Sequence, residues 1–184
     1  MVEFVRYRIE NAPEESKTVL KELQQDIGFV PELFGYIAES PETLSSYFSL
    51  AKKFARCSLS PTEQRVLLLA ISVENGCEYC VAAHSVIAKE LIQVCPTVVE
   101  AIRSGQTIPD ARLRALVEFT LELKAGRGHI NHAKIDAFLQ AGFTKQNVFE
   151  VIMALSMKTL SNYANLMIGA DVDEEFAHEA WEKE

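Results

Sequence analysis

Cys77 and Cys80 form a C-x-x-C pair, and His84 follows the second cysteine by four residues. On a helix, residues three and four apart share a face, so this spacing groups two thiols with one imidazole. Those parts suit reversible disulfide chemistry: one thiolate attacks, the other sulfur resolves, and the imidazole moves a proton. If Asn75 caps the helix, Cys77 falls in its first turn, where free backbone N–H groups favour a thiolate. His84, one turn beyond Cys80, is placed to take its proton or to stabilise the anion. Both sulfurs therefore have a reason to ionise near neutral pH, and spacing does not say which attacks first. Two other readings use the same residues. Cys77, Cys80 and His84 could be three ligands of a zinc site, although Cys57 and Cys95 are isolated and no second C-x-x-C exists. Alternatively the two cysteines are buried and structural.

The elements that must position this group read as helices. Ser60-Pro61-Thr62-Glu63 fits a capping box with proline just inside the helix. The helix it opens carries Val66, Leu67, Leu68, Leu69, Ala70 and Ile71, apolar nearly all round, so it should be central. Asn75-Gly76 interrupts, and the motif helix runs from there to Ile92. Upstream, Pro13 to Gly28, Pro31 to Ala38, and Pro41 (capped by Ser40) to Phe54 are predicted helices. Downstream, helices are predicted from Pro96 to Gly105, Pro109 to Gly126 and His132 to Gln140. A long apolar helix from Thr144 through Met167 is closed by Gly169. A last helix carries Phe176 and Trp181. Only Val2 to Ile9 could be extended. There is no fixed repeat and no linker long enough to divide two domains. The expectation is an all-α helical bundle.

Composition bounds the function. A chain of 184 residues suits one domain, and 48% hydrophobic residues exclude disorder. A net charge of −8, from 26 acidic and 18 basic residues, argues against nucleic acid, which needs a cationic footprint. No apolar run approaches the ~20 residues of a membrane span, and Met1 to Arg8 lacks a secretory signal. Four cysteines in this length make no disulfide framework, so the expected compartment is a reducing cytoplasm. Other candidates are weaker. His129 and His132 stand three apart, with only Asp136 as a carboxylate partner. Gly126-Arg127-Gly128 has no lysine and no preceding strand, so it is no phosphate loop. Cys57 and Cys95 read as small buried residues, and His178 as exposed. Tyr79 reads as a pocket-edge or interface aromatic, or as a partly buried ring with a wet hydroxyl. Leu160, Tyr163, Leu166 and Met167 leave more apolar surface than one monomer can bury, which predicts a homo-oligomer.

The segment Glu74 to Ser85, with its C-x-x-C-x-x-x-H core, resembles the thiol motif of the alkylhydroperoxidase D-like proteins of the carboxymuconolactone decarboxylase family. Gly28-Phe29-Val30-Pro31, Ser40-Pro41 and Leu59-Ser60-Pro61 are similar to its upstream landmarks. Ala141-Gly142-Phe143 and the Asn162/Asn165 helix are similar to its downstream half. The resemblance implies one alkylhydroperoxidase D-like helical domain over residues 1–184, with residues 1–12 as an extended arm, assembling into trimers or hexamers. It implies an antioxidant peroxidase or disulfide reductase that uses a thiol electron donor and neither metal nor organic cofactor. Cys77 and Cys80 would be its redox pair and His84 its proton-relay base. Decarboxylation is less expected, because that branch lacks the thiol pair. The alternative classes are a redox-sensing assembly without turnover and a zinc-stabilised module. One departure stands out. The family's relay glutamate sits about twelve residues before the first cysteine, where this chain has Arg65. Glu63 and Glu74 are the candidate substitutes, and Glu74 is preferred because it adjoins the motif across Asn75-Gly76. Arg65 reads either as a buried cation lowering a thiol pKa or as a surface charge.

Overall fold

The computed structural model describes residues 3–183, and among these there are helices and no strand. Nine α-helices follow in order: α1 Glu14–Ile27, α2 Glu32–Ile37, α3 Pro41–Phe54, α4 Pro61–Glu74, α5 Glu78–Val86, α6 Pro96–Arg103, α7 Ala111–Ala125, α8 His132–Gln140 and α9 Lys145–Ile168. Met1 and Val2 of the expected extended arm lie outside the described residues. From Glu3 to Arg8 the arm has no regular structure, and Tyr7 N–H donates to the Gly35 carbonyl at 3.0 Å.

α4 is the pivot. Its capping box is complete: Glu63 N–H donates to Ser60 Oγ at 3.2 Å, and Ser60 N–H donates to Glu63 Oε2 at 2.7 Å. Val66 through Ile71 are all buried, as an all-round apolar helix requires. Leu67, Leu68 and Ile71 pack toward α3, α7, α8 and α9, whereas Val66, Leu69 and Ala70 pack toward α5, α6 and α7. A third apolar cluster joins α1, α2 and α3 to Cys77, Tyr79 and Cys80. The thiol motif thus sits where three cores meet.

Local chemistry explains how the chain turns from α4 into the motif. Gly76 adopts φ +67°, the left-handed region that a glycine enters without penalty. Gly76 N–H bonds to the Val73 carbonyl at 2.9 Å and Cys77 N–H to the Ser72 carbonyl at 3.1 Å. This paired closure is a Schellman motif. Asn75 is therefore the C-cap of α4, not the cap of the motif helix, and Cys77 itself is the N-cap of α5.

Two expected helices end differently. The motif helix stays α-helical only to Val86, then widens into a π-turn over Ile87–Leu91, where Ile92 N–H reaches back to Ile87 O at 3.0 Å. The segment with Phe176 and Trp181 is a single 3₁₀ stretch, Glu174–Glu179, with Trp181 beyond it. Its conformation follows docking rather than helical periodicity. Phe176 packs on Phe29 and Tyr79, Glu179 pairs with Lys89, and Trp181 Nε1 donates to the Arg103 carbonyl at 2.9 Å. This strap lies against α5.

Candidate active site

α5 presents Cys77, Cys80 and His84 inward, and all three are buried: Cys77 is 0% and Cys80 3% exposed. Both cysteines are free thiols, and each shifts the ionisation of the other. The two thiols are driven in opposite directions. Cys77 is pushed up, first by its interaction with Cys80 and then by burial. Cys80 is lowered to about 6, first by its interaction with Cys77 and then by Lys158 and Asn162, against the opposing effect of burial. These surroundings favour Cys80 over Cys77 as the thiolate, a bias that spacing does not supply.

The partners of His84 lie on two other helices. Arg65 Nη1 of α4 donates to Nδ1 at 3.0 Å, and Lys158 Nζ of α9 lies 2.8 Å from Nε2. Arg65 therefore takes neither of its expected readings in full, because its guanidinium serves the imidazole rather than a sulfur or solvent. Burial first, then the charges of Lys158 and Arg65, hold the imidazole well below its ordinary pKa, so the ring is neutral. Both ring nitrogens are engaged, and among the described residues no three His, Cys, Asp or Glu side chains are grouped to hold a metal.

Glu74 does not reach this group. It ends α4 on the exposed side, 3.6 Å from Lys124 Nζ, so its expected approach to His84 is not met. The Schellman turn reverses the chain just past Glu74 and sends the motif inward while the glutamate stays outside. Glu63 is likewise committed elsewhere, to the capping box and to Arg112 Nε at 2.7 Å. Among the described residues no carboxylate hydrogen-bonds to His84, Arg65 or Lys158.

Residue-type reasoning missed Lys158. It is 1% exposed in the middle of α9. A signal for it exists in the sequence: Lys158, Ser161, Asn162 and Asn165 recur at i, i+3, i+4 and i+7 on an otherwise apolar helix, a polar stripe that faces the core. Asn162 Oδ1 accepts from Asn75 Nδ2 at 2.8 Å, and Asn162 is among the groups that lower Cys80. Other sequence candidates lie away from the site. Tyr79 is buried, and its hydroxyl donates to Asp173 Oδ2 at 2.5 Å, so it is not wet. His129 and His132 are exposed beside α8. Cys95 is exposed at the N-cap of α6 rather than buried, and Cys57 is half-buried.

Residues 41–108, which span α3 to α6 and the loop after it, match the carboxymuconolactone decarboxylase family. The match includes the thiol-bearing segment. No curated protein matches the chain. Among solved structures, it is similar to a peroxidase-related protein with the alkylhydroperoxidase AhpD core from Ralstonia eutropha JMP134. That match has 24% identity, covers 94% of this chain and 93% of that one, and has a TM-score of 0.84. It is similar to a peroxidase-related protein from Silicibacter sp. TM1040, with 18% identity, coverage of 95% and 93%, and a TM-score of 0.80. It is also similar to the debrominase Bmp8, with 18% identity, coverage of 90% of each chain, and a TM-score of 0.71. These likenesses establish an alkylhydroperoxidase D-like, all-helical fold.

Proposed function

We propose that this chain is a thiol-dependent oxidoreductase in which Cys80 attacks an electrophile and Cys77 resolves it. One observation carries the reading: Cys80 is buried beside Cys77, with Lys158 and Asn162 favouring its anion. With a hydroperoxide, the Cys80 thiolate attacks the distal oxygen, the O–O bond breaks, and an alcohol leaves with one proton. The Cys80 sulfenic acid then condenses with the Cys77 thiol, releasing water and forming the disulfide. An external dithiol returns two electrons and two protons. With a disulfide substrate, Cys80 forms the mixed disulfide and Cys77 expels the second thiol. Burial of both sulfurs favours a small oxidant, because a bulky one must first displace the cover. The debrominase of the same fold has been solved as a cysteine-to-alanine variant with 2,3,4-tribromopyrrole, which supports cysteine-based attack on an electrophile within this fold.

The experiment is a peroxide assay with a dithiol reductant, coupled to intact mass after alkylation. Turnover together with a protected Cys77–Cys80 pair is expected. Oxidation to the disulfide without turnover would leave a redox sensor, and two fully alkylatable thiols after peroxide would end the thiol reading.

The protein is further proposed to be a homo-oligomer. On α9, Phe149, Ile152, Tyr163, Leu166 and Met167 recur near the helical repeat on an exposed stripe, with Phe149 71% and Met167 66% exposed. Leu160 is half-buried against the core. Light scattering at micromolar concentration should show a multimer, with the trimer or hexamer of the resemblance as the expected forms, and Tyr163→Arg should dissociate it.

A further inference from the structure

Arg127 occupies a backbone position that favours glycine. At the end of α7, Arg127 N–H bonds to the Lys124 carbonyl and Gly128 N–H to the Leu123 carbonyl, each at 3.0 Å. This is the same paired closure as at Gly76, with Arg127 in the left-handed position at φ +50°. Gly126 before it is not free to change, since a Cβ there would lie 1.9 Å from the His129 carbonyl oxygen. The chain thus holds an arginine in a strained conformation, and such strain gathers at functional sites. A basic residue just past a helix ordinarily serves the last carbonyls. Here the carbonyls of Glu122, Leu123 and Lys124 already accept backbone N–H groups. Among the described residues the exposed Arg127 side chain makes no hydrogen bond and no ion pair. What it lines is a cavity of about 390 Å³ between the ends of α4 and α7 and one side of α9.

We propose that this cavity is a binding site for a small organic anion, a carboxylate on an apolar body, with Arg127 and Lys124 taking the carboxylate and Ile71, Leu123 and Leu155 taking the body. The volume is that of a small-molecule pocket, mostly apolar with a few placed polar groups. Its two charged lining residues are both cations, on a chain of net charge −8. The Arg127 fork matches a carboxylate with two parallel N–H donors. Lys124 is held only by Glu74 at 3.6 Å, a partly exposed pair that leaves room for a second anion. None of Cys77, Cys80, His84 or Lys158 lines the cavity, so this site is separate from the thiol centre. Asn75 lies between the two: it lines the cavity, and its Nδ2 donates to Asn162 at 2.8 Å. A second copy of the chain fits the cavity less well. Ile152 and Tyr163 belong both to it and to the exposed stripe of α9. The only acid of α9 is Glu150, which is buried and bonded to Ser58, so a copy docked through that stripe brings no carboxylate to Arg127.

The test reads binding, not turnover, so it can fail separately from the oxidoreductase reading. The full chain, in whatever oligomeric state it adopts, is titrated with octanoate and with benzoate by calorimetry, and with 1-octanol and octylammonium as neutral and cationic controls. At least one of the two carboxylates should bind saturably at one site per chain, more tightly than either control. In ¹⁵N spectra the Arg127 Nε–H and Asn75 side-chain amide resonances should move as that site fills. Arg127→Gly suits the left-handed backbone, so it should fold with a melting temperature no lower than wild type, yet weaken the carboxylate by roughly tenfold or more. Arg127→Lys, which keeps the charge without the fork, should fall between. Absence of saturable binding by both carboxylates overturns the proposal. So does a neutral or cationic control that binds as tightly, or an Arg127→Gly protein of unchanged affinity. If a carboxylate binds only as light scattering shows a multimer dissociating, the cavity is filled by a second copy, and the small-anion site is wrong.

Discussion

Helix α9 carries two buried polar clusters, and they are built on opposite terms. Near its start, Glu150 accepts from Ser58 N–H at 2.9 Å and from Ser58 Oγ, Gln146 Nε2 and Asn147 Nδ2, each at 2.8 Å. Donors surround a single anion and every bond is made. Near its middle, Lys158 joins His84, Arg65 and Cys80 with cationic side chains and no carboxylate. Arg65 Nε, Ser161 Oγ, Asn162 Nδ2 and Asn165 Oδ1 are buried there without ordinary partners. A satisfied network fixes a structure, here the α3–α4 connection against α9. An unsatisfied, cation-rich one is stable only if something else supplies the negative charge, and the Cys80 thiolate does so. The same helix thus holds a structural joint and a chemical centre, and completeness of hydrogen bonding distinguishes them.

Removing a sulfur tests that distinction most severely. Cys80→Ser or Cys77→Ser should abolish dithiol-dependent turnover; Cys77→Ser should leave the melting temperature near wild type, since serine fills nearly the same space, whereas Cys80→Ser should lower it by removing the anion beside Lys158. Retained turnover in Cys80→Ser would remove the chemical half of the contrast.

Glu150→Ala should do the reverse. It strands the Ser58 N–H and neighbouring buried donors, costing about 2–4 kcal/mol in urea unfolding, with turnover per folded molecule unchanged. The two clusters should also respond to different pH windows. Burial pushes the Glu150 carboxyl up, but the bonds from Ser58, Gln146 and Asn147 outweigh it and hold the group below its usual range. A lowered acid contributes its stability above the unfolded carboxylate value and loses it as pH falls through the folded one. Stability tied to Glu150 should therefore fade below about pH 4, near the ordinary glutamate pKa, and Glu150→Gln should flatten that limb. Cys80 is lowered to about 6, so its contribution is complete above the ordinary thiol range near ~8.5 and fades toward 6. Cys80→Ser should flatten only this second limb.

A smaller effect belongs to the turn between α4 and α5. Gly76→Ala forces a side chain into φ +67° and places Cβ 3.1 Å from Lys183 Cδ. A loss of about 1 kcal/mol is expected. Because the turn seats Cys77 at the N-cap, the Cys77 alkylation rate should change with it. An unchanged rate would show that the motif is held by its packing alone.

Much of this was legible in the chain. The capping box at Ser60, the all-round apolar run of α4, the Asn75-Gly76 break and the Thr144 to Gly169 limits of α9 are local signals, and the structure follows them. Local chemistry also marked Cys77, Cys80 and His84 as one face of a helix. What surrounds that face was not legible in the same way. Lys158 lies seventy-four residues from His84 in sequence, and a lone lysine on a helix ordinarily reads as solvated. Its burial depends on which side of α9 meets α5, a tertiary fact that only the polar stripe with Asn162 and Asn165 hints at. The last segment failed for the opposite reason: its side chains suggested a helix, but its contacts with α5 and α6 set its shape.

The smallest expected effect is the most pointed, because it compares two glutamates on one helix. Glu74 adjoins the motif in sequence, yet its carboxylate is exposed and faces Lys124 at 3.6 Å. Exposed pairs of this kind contribute about 0–1 kcal/mol. Glu74→Gln should leave the Cys80 alkylation profile, the oligomer and turnover at wild-type values. Glu63, buried and bonded to Ser60 N–H and Arg112, should be the costlier of the two, because glutamine keeps only part of the capping box and leaves Arg112 without its anion. A loss of roughly 0.5–2 kcal/mol is expected there, again with turnover intact. If Glu74→Gln instead slows turnover while Glu63→Gln does not, a carboxylate must enter the site during the reaction. The cation-only character of the Lys158 cluster would then describe its resting state alone.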